Sequence, residues 1–437
     1  MTPLTMARVQ MEVSLGFHMM FAALGIGMPL LMVIAEARYL RGHGEHWKAL
    51  AKTWGKATAI LFVVGAVSGT ALSFELGLLW PRFMQFAGPV IGPAFTLEGY
   101  AFLLEAIFVG LYLYGWDRMT PRAHFWAGVP VAITGCLSGI LVVGANAWMQ
   151  SPRGYTTAPQ LPFQVLDTDP IAGFRNPSWA PLAMHSTFAC YAAVGFAVAG
   201  VYAWSILRGR DSAYTRAGLS LALWMGGIAS VLQPLSGDRL AKLLYKTQPV
   251  KLAAMEAHFH TGRGVPLLVG GWPDAETGNV SMALPLPKML SFMSTGETGG
   301  EIRGLFDFPV TDRPNVLVCH LAFQLMVGAG TALLGVALLW LVARVKFPHL
   351  LHTKWLLRAA LLASPLGFLA LEAGWVVTEA GRQPWIVFGV MRTSEAVTSR
   401  TDLGWSLALF SVLYAGLGVA LVGMLRRIGD GAAGDHG

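Results

Sequence analysis

The chain has 437 residues, of which 54% are hydrophobic and only 13% are charged. Soluble domains carry roughly 25% charged residues, so this composition excludes an ordinary soluble protein and indicates a multi-pass membrane protein. The formal net charge is +7. The basic residues cluster in short segments between apolar runs, a pattern that sets membrane orientation and argues against nucleic acid as a partner.

Nine apolar runs are long enough to cross a bilayer, which takes about 20 residues per helix. Backbone groups in lipid have to bond within their own segment, so we predict an all-α bundle. The first run is too long for a signal-peptide core and no small-residue cleavage site follows it, so we expect it to remain. The predicted spans are residues 13–35, 57–79, 95–116, 125–149, 179–205, 217–235, 315–343, 359–378 and 403–425.

Basic residues mark every second connection, which predicts that those connections are cytoplasmic. The N-terminus and two long connections, at about 150–178 and 236–313, are then outside, and the C-terminus is cytoplasmic. The basic residues concerned are Arg38, Arg41, Lys48, Lys52, Lys56, Arg118, Arg122, Arg208, Arg210, Arg216, Arg344, Lys346, Lys354, Arg358, Arg426 and Arg427.

Six of the ionisable side chains inside predicted spans are candidates for a functional site, and all six fall in the outer halves. A single one is more often a hydrogen-bonded core residue than a ligand, but intramembrane ionisable groups as a class mark functional sites. A layer of two histidines and several carboxylates suits a metal or haem site, a proton relay, or both. The six are His18, Glu75, Glu98, Glu105, His185 and Glu372.

Zinc fits this layer poorly, because it needs three or four clustered ligands and no HExxH or HxxxH pair lies within a span. The three cysteines have no CxxC spacing, so they indicate neither a zinc site nor a disulfide framework. Haem needs only one or two axial ligands per iron, taken from separate helices. Met326, about a third of the way into the seventh span, is a further candidate ligand, with core packing as its alternative role.

Seven segments, in order along the chain, resemble subunit I of cytochrome bd-type quinol oxidases. The external segment of nearly eighty residues is short for that family and is similar to its short quinol-loop, cyanide-insensitive-like branch. The segments are "FHMMFAALGIGMPL", "TWGKATAILFVVGAVSG", "EGYAFLLEAIFVGLYLYGWDR", "NAWMQSP", "KLAAMEAHFHT", "KWLLRAALLASP" and "EAGWVVTEAGRQPW".

The resemblance implies a bundle of about nine transmembrane helices with an external quinol-binding loop, in the bacterial inner membrane. It implies an enzyme that oxidises membrane quinol, reduces O2 to water and contributes to a proton gradient. The implied cofactors are three haems: a low-spin haem b, a high-spin haem b, and a haem d or a further haem b. The implied partner is a membrane subunit II, with small accessory subunits also allowed.

The resemblance assigns His185 and Met326 as the axial pair of the low-spin haem. It assigns His18 and Glu372 as the single iron ligands of the two high-spin haems. The predicted division is therefore 1–235 with His18 and His185, 236–313 as the quinol loop, and 314–437 with Met326 and Glu372.

Other positions follow from the same resemblance. Lys251 and Glu256 correspond to the quinol-binding residues of the loop, although as a bare motif they would be a solvated turn. Arg382 is expected to pair with haem propionates or with Glu379. Trp385 is expected either to stack near the cofactor or to act as an interfacial anchor.

Glu98 and Glu105 are seven residues apart, so they share a helix face about 10 Å apart. The resemblance places both on a proton path, and Glu75 and Asn146 in the haem environment. Two residues depart from the family: Gln324 stands where members carry arginine, and Phe368 where some carry tryptophan. The alternative function is a proton-coupled secondary transporter, against which the absence of paired Gly/Pro-broken helices argues.

Overall fold

The computed structural model describes residues 2–400 and 402–434. Within these residues, nine helical segments are long and apolar enough to span a membrane, as predicted. The helices are α1 Pro3–Leu40, α2 Glu45–Leu79, α3 Pro81–Gly115, α4 Pro121–Gln150, α5 Pro170–Phe174, α6 Trp179–Leu207, α7 Ala213–Thr247, α8 Pro249–Met255, α9 Met289–Thr295, α10 Val316–Lys346, α11 Lys354–Ala363, α12 Leu366–Ala380, α13 Thr393–Ala396 and α14 Leu403–Gly434.

The eighth span consists of two helices, α11 and α12, because the chain is interrupted at Ser364 and Pro365. Proline has no backbone N–H and cannot continue the hydrogen-bond ladder of the preceding helix. The break lies tightly against α6: a β-carbon on Gly200 would come within 2.3 Å of the Ser364 side chain, and one on Gly367 within 2.4 Å of Ala193. Small residues let membrane helices approach closely.

Helices that are neighbours in sequence pack side by side, as in α1 with α2, α3 with α4 and α6 with α7. Helices α7 and α12 each contact both α6 and α10. This arrangement puts α6, the helix of His185, opposite α10, the helix of Met326. The main apolar core runs through these spans and includes Phe196, Leu333 and Leu357.

The segment 236–313 is not wholly a loop, because α7 continues through Pro234 to Thr247. A helix of 35 residues is about 52 Å long, well beyond the hydrocarbon thickness of about 30 Å. The part of this segment beyond α7 therefore begins after residue 247. Its first element is α8, which follows α7 after one residue, Gln248.

Short strands occupy the connections. They form four antiparallel pairs, β1 with β2, β3 with β6, β4 with β5 and β7 with β8. Three-residue 3-10 helices lie at Leu305–Asp307, Val310–Asp312 and Pro348–Leu350. The strands are β1 Tyr155–Ala158, β2 Leu161–Thr168, β3 Gly262–Arg263, β4 Leu267–Asp274, β5 Asn279–Leu286, β6 Glu301–Ile302, β7 Trp385–Val387 and β8 Met391–Arg392.

Candidate functional site

His18 is held by a serine on the neighbouring helix. The Ser68 hydroxyl donates to the carbonyl oxygen of Gly65 at 3.1 Å, so it accepts from His18 Nδ1, which lies 3.0 Å away. An imidazole that donates through Nδ1 carries its lone pair on Nε2. A β-carbon on Gly69 would come within 2.9 Å of the ring, so glycine there makes room for the imidazole.

His185 is held in the same way. Ser236 donates to the carbonyl oxygen of Gln233 at 2.9 Å and accepts from His185 Nδ1 at 2.9 Å. The side-chain amide nitrogen of Gln233 lies 3.2 Å from His185 Nε2 and can donate to it when Nδ1 carries the ring proton. Such outer hydrogen bonds are what fix the tautomer and direction of metal-binding histidines.

Met326 packs against α12, the helix that carries Glu372. A β-carbon on Gly374 would lie 3.1 Å from Met326 Sδ, so the thioether packs against α12 two residues beyond Glu372. Helix α1 also passes close to the carboxylate, because a β-carbon on Gly16 would be 3.5 Å from Glu372 Oε2. Glu372 Oε1 is buried and has no hydrogen-bond partner within the described residues.

This donor set fits haem. Two imidazoles present an unprotonated Nε2, one thioether lies beside α12, and one buried carboxylate oxygen has no protein partner. Haem iron takes its axial ligands singly or in pairs from such groups on separate helices. Over residues 2–400 and 402–434, no cluster of three or more His, Cys, Asp or Glu side chains could hold a metal ion.

Arg382 is buried at the end of α12, where its Nη2 donates to Glu379 Oε2 at 2.5 Å. Asn146 of α4 donates to the other oxygen of Glu379 at 2.6 Å. Arg382 Nη1 is buried without a partner among the described residues, which leaves a donor for an anionic group. Trp385 stacks against protein rather than standing free, since the guanidinium of Arg392 lies 4.5 Å from its ring centre.

Lys251 is buried at the junction of α8 with α4 and α12, not solvated. Its Nζ donates to the carbonyl oxygen of Thr378 at 3.1 Å and to Gln150 Oε1 at 3.4 Å. A β-carbon on Gly381 would be 3.0 Å from the lysine side chain, so the stem packs on the Gly-Arg-Gln-Pro-Trp turn. Burial, and then the positive charge of Arg382, lower the pKa of Lys251 to about 8.

Glu256 follows α8 directly and is also buried, with Oε2 lacking a partner in the described chain. Burial raises the pKa of Glu256 to about 8. The neighbouring carbonyl of Met255 lies 2.8 Å from His320 Nδ1 on α10. The interpretation of this motif as a solvated turn is wrong, because Lys251 and Glu256 are both buried.

Glu98 and Glu105 lie on α3, as the spacing predicted. Glu98 is half-buried and accepts from Ser138 at 3.1 Å, whereas Glu105 is buried and lies near Gly135 of α4. Glu75 is fully buried and accepts from Gln10 at 3.0 Å. The carboxylates therefore face α1 and α4 inside the bundle.

The two residues that depart from the family, Gln324 and Phe368, have different structural surroundings. Gln324 bonds to the loop: its amide nitrogen donates to the carbonyl oxygen of Leu268 at 2.9 Å, and its oxygen accepts from the N–H of Gly270 at 2.8 Å. Phe368 packs against the apolar core.

The whole chain matches known proteins. Residues 6–431 match the family model described as cytochrome bd terminal oxidase subunit I. The chain belongs to the cytochrome bd terminal oxidase subunit I family. It is therefore a haem-dependent quinol oxidase subunit of the bacterial cytoplasmic membrane, which works with a subunit II. The comparisons give no support to the transporter alternative.

Individual relatives agree with this. A Bacillus subtilis (strain 168) protein, provisionally named a cytochrome bd menaquinol oxidase subunit I, is 35% identical over 97% of this chain and 96% of its own length. A second protein of that strain, cytochrome bd ubiquinol oxidase subunit 1, is 32% identical over 100% of this chain and 96% of its own length. A chain of the bd oxidase structure from Geobacillus thermodenitrificans aligns with a TM-score of 0.92 and 35% identity, covering 98% of both chains.

The sequence did not predict the residues that hold the candidate haem ligands or those that hold the candidate quinol segment. Ser68 and Ser236 look like ordinary small residues of apolar helices, and only the helix packing shows that they face histidines. Gln150 lies within the quoted "NAWMQSP" segment, so its position in a matching motif was an available signal. His320 stands four residues before Gln324, and that spacing places both on one helix face.

Proposed function

We propose that this chain oxidises membrane quinol beside α8 and passes the electrons to a layer of three haems, where O2 is reduced to water. The observation that carries the proposal is the donor set: two imidazoles held through Nδ1 by serines, a thioether and a partnerless carboxylate oxygen. Haem, when bound, supplies the electron transfer and the oxygen chemistry.

The proposed ligand assignment is the one that the resemblance to the family implies, and the helix packing is compatible with it. His185 and Met326, on the opposed helices α6 and α10, hold a low-spin haem b. His18 and Glu372 each hold one high-spin haem, of which one is a haem b and the other a haem d or a further haem b. Arg382, with one buried N–H group left without a partner, binds an anionic group such as a haem propionate.

Quinol oxidation releases protons, and α8 supplies groups that can handle them. Glu256 has an unpartnered oxygen and a pKa raised to about 8 by burial, which suits a base working near neutral pH. Lys251 uses its bonds to Thr378 and Gln150 to hold its ammonium in place and has a remaining proton for a quinol oxygen. Trp385 ends the Gly-Arg-Gln-Pro-Trp turn, on whose Gly381 the stem of Lys251 packs.

Protons for water formation take a separate route inside the bundle. Glu98 and Glu105, spaced two turns apart on α3, pass protons towards the layer of His18 and Glu372. The basic connections are cytoplasmic, and the N-terminus and the quinol loop are outside. In this proposal, residues 1–235 carry the ligands His18 and His185. Residues 236–313 form the quinol loop, which starts within α7, and residues 314–437 carry Met326 and Glu372.

The substrates are a membrane quinol, ubiquinol or menaquinol as in the relatives' names, and O2. Subunit II completes the enzyme, and small accessory subunits are compatible with the exposed apolar faces of the spans. The test is purification of the complex from membranes. A Soret band, about three haems per copy of this chain on extraction, and quinol-dependent O2 uptake are expected. A colourless protein without haem would contradict the proposal.

A further inference from the structure

The β4–β5 hairpin of the external loop exposes apolar side chains. Met282 is 86% exposed and Leu284 63%, and Trp272 is exposed on the other strand. Asp274, at the turn, is the only charged residue within the two strands. Exposed apolar clusters of this kind are rare on surfaces that face water, and they mark contacts with protein or membrane.

Val269, Leu284 and Leu286 are exposed and share one face. Val269 is the cross-strand partner of Leu284, and Leu267 is the partner of Leu286. Side chains two residues apart along a strand point to the same side, so Leu284 and Leu286 are neighbours on that face. The face is continuous across both strands, unlike a set of scattered surface residues.

The depth of the hairpin follows from its bonds to α10. The Gln324 side chain bonds to Leu268 and Gly270, and His320 Nε2 lies 3.1 Å from the carbonyl oxygen of Gly270. Gln324 is eight residues inside α10 and 22 residues from Lys346, or about 33 Å from that basic end. That distance is about the thickness of the hydrocarbon core, so β4 lies at its boundary.

The same bonds satisfy the outer edge of β4. A free strand edge at the membrane boundary would leave N–H and C=O groups without partners. The amide of Gln324 pairs with one N–H and one C=O of that edge, as a neighbouring strand would. Gln324 and His320 of α10 thus hold the hairpin at this depth.

We propose that the β4–β5 hairpin is an interfacial element that binds the lipid surface of the membrane on the side of the quinol loop. Lipid is favoured as the occupant because the hairpin's face continues the surface of α10, where Val327, less than one turn below Gln324, is exposed. Tryptophan and aliphatic side chains at this depth insert between headgroups and acyl chains. The hairpin is also linked to α8 through His320 of α10, because the imidazole lies between the carbonyl oxygens of Gly270 and Met255.

The test uses the assembled oxidase complex in vesicles of phosphatidylcholine and phosphatidylglycerol. Leu284→Cys and, in a separate protein, Met282→Cys carry a small fluorophore, in a Cys136→Ala background because Cys190 and Cys319 are buried. Glu276→Cys, at the exposed polar turn of the same hairpin, is the matched control. Unchanged O2 uptake shows that each labelled protein is assembled.

Lipids brominated on their acyl chains should quench the labels at 284 and 282 at least threefold more than the label at 276, and aqueous iodide should show the reverse order. Equal quenching of all three labels by iodide would place the hairpin in water and overturn the proposal. Labels at 284 and 282 that neither quencher reaches would show that a protein, another subunit or a second copy, covers the face, and would also overturn it.

Discussion

The ammonium nitrogen of Lys251 lies 3.1 Å from the carbonyl oxygen of Thr378, so helix α8 is bonded directly to the end of the helix that carries Glu372. Gln150, from the end of α4, accepts from the same ammonium. The proposed quinol segment is therefore packed onto α4 and onto α12, the helix of the proposed ligand Glu372. This junction keeps the proposed quinol segment, the electron donor side, close to the helix of the proposed haem ligand Glu372. The rest of the loop does not have to be ordered around the substrate.

Lys251→Met keeps the aliphatic stem that packs on Gly381 and removes the ammonium. We expect quinol-dependent O2 uptake to fall at least tenfold, corresponding to about 1.4 kcal/mol, while haem content stays normal because Lys251 binds no iron. Lys242→Met, which breaks an exposed ion pair with Asp238, is the control and should behave as wild type. Normal uptake in Lys251→Met would remove this lysine from quinol oxidation.

The pH dependence of quinol oxidation should have two limbs. Glu256, with a pKa raised to about 8 by burial, gains carboxylate character as the pH rises, so proton acceptance improves towards pH 8. Lys251, with a pKa lowered to about 8, loses its charge as the pH rises further. We expect kcat/KM for quinol to peak near pH 8, and Glu256→Gln to lower the rate and remove the rising limb. An unchanged rising limb in that variant would show that another group accepts the proton.

The serines that hold the histidines give a third prediction. Ser68→Ala and Ser236→Ala remove the hydrogen bond that fixes the tautomer and the orientation of each imidazole. Loss of such outer partners typically weakens metal binding 10–100-fold. Each variant should therefore lose haem on purification and show a shifted spectrum. Ser230→Ala on α7 is the control, because among the described residues that hydroxyl bonds to the carbonyl oxygen of Gly226 and to no histidine. Full haem retention in both variants would count against the ligand assignment.

The sequence predicted the spans and the layer of ionisable residues because both depend on local composition and depth. His18 and His185 stand out in apolar runs, whereas Ser68 and Ser236 do not, since serine is common in membrane helices and its partner depends on which faces meet. The end of α7 was missed because polar residues after Pro234 continue the helix outside the membrane. The bonds of Gln324 to Leu268 and Gly270 join positions more than fifty residues apart, which no local pattern reveals.

Glu105→Gln preserves shape and hydrogen bonding and cannot ionise. If Glu105 passes protons to the oxygen-reducing haem, steady-state O2 consumption should fall at least tenfold, about 1.4 kcal/mol on the barrier, while quinol still reduces the low-spin haem at the normal rate. Stopped-flow spectra separate the two steps. Glu12→Gln, exposed on α1, is the control. Near wild-type consumption in a fully haem-loaded Glu105→Gln protein would leave only a structural role.

The measurement that tests the account most directly is the reduced-minus-oxidised spectrum of the Met326→Leu complex. Leucine keeps the volume and removes only the sulfur ligand, so the low-spin haem b signal should become high-spin or vanish while the spectra of the other haems persist. Met225→Leu, at a buried methionine of α7, is the matched control and should leave every band unchanged. An unaltered low-spin spectrum in Met326→Leu would show that the methionine only packs against Gly374, and would contradict the assignment of α6 and α10 as the helices that hold this haem.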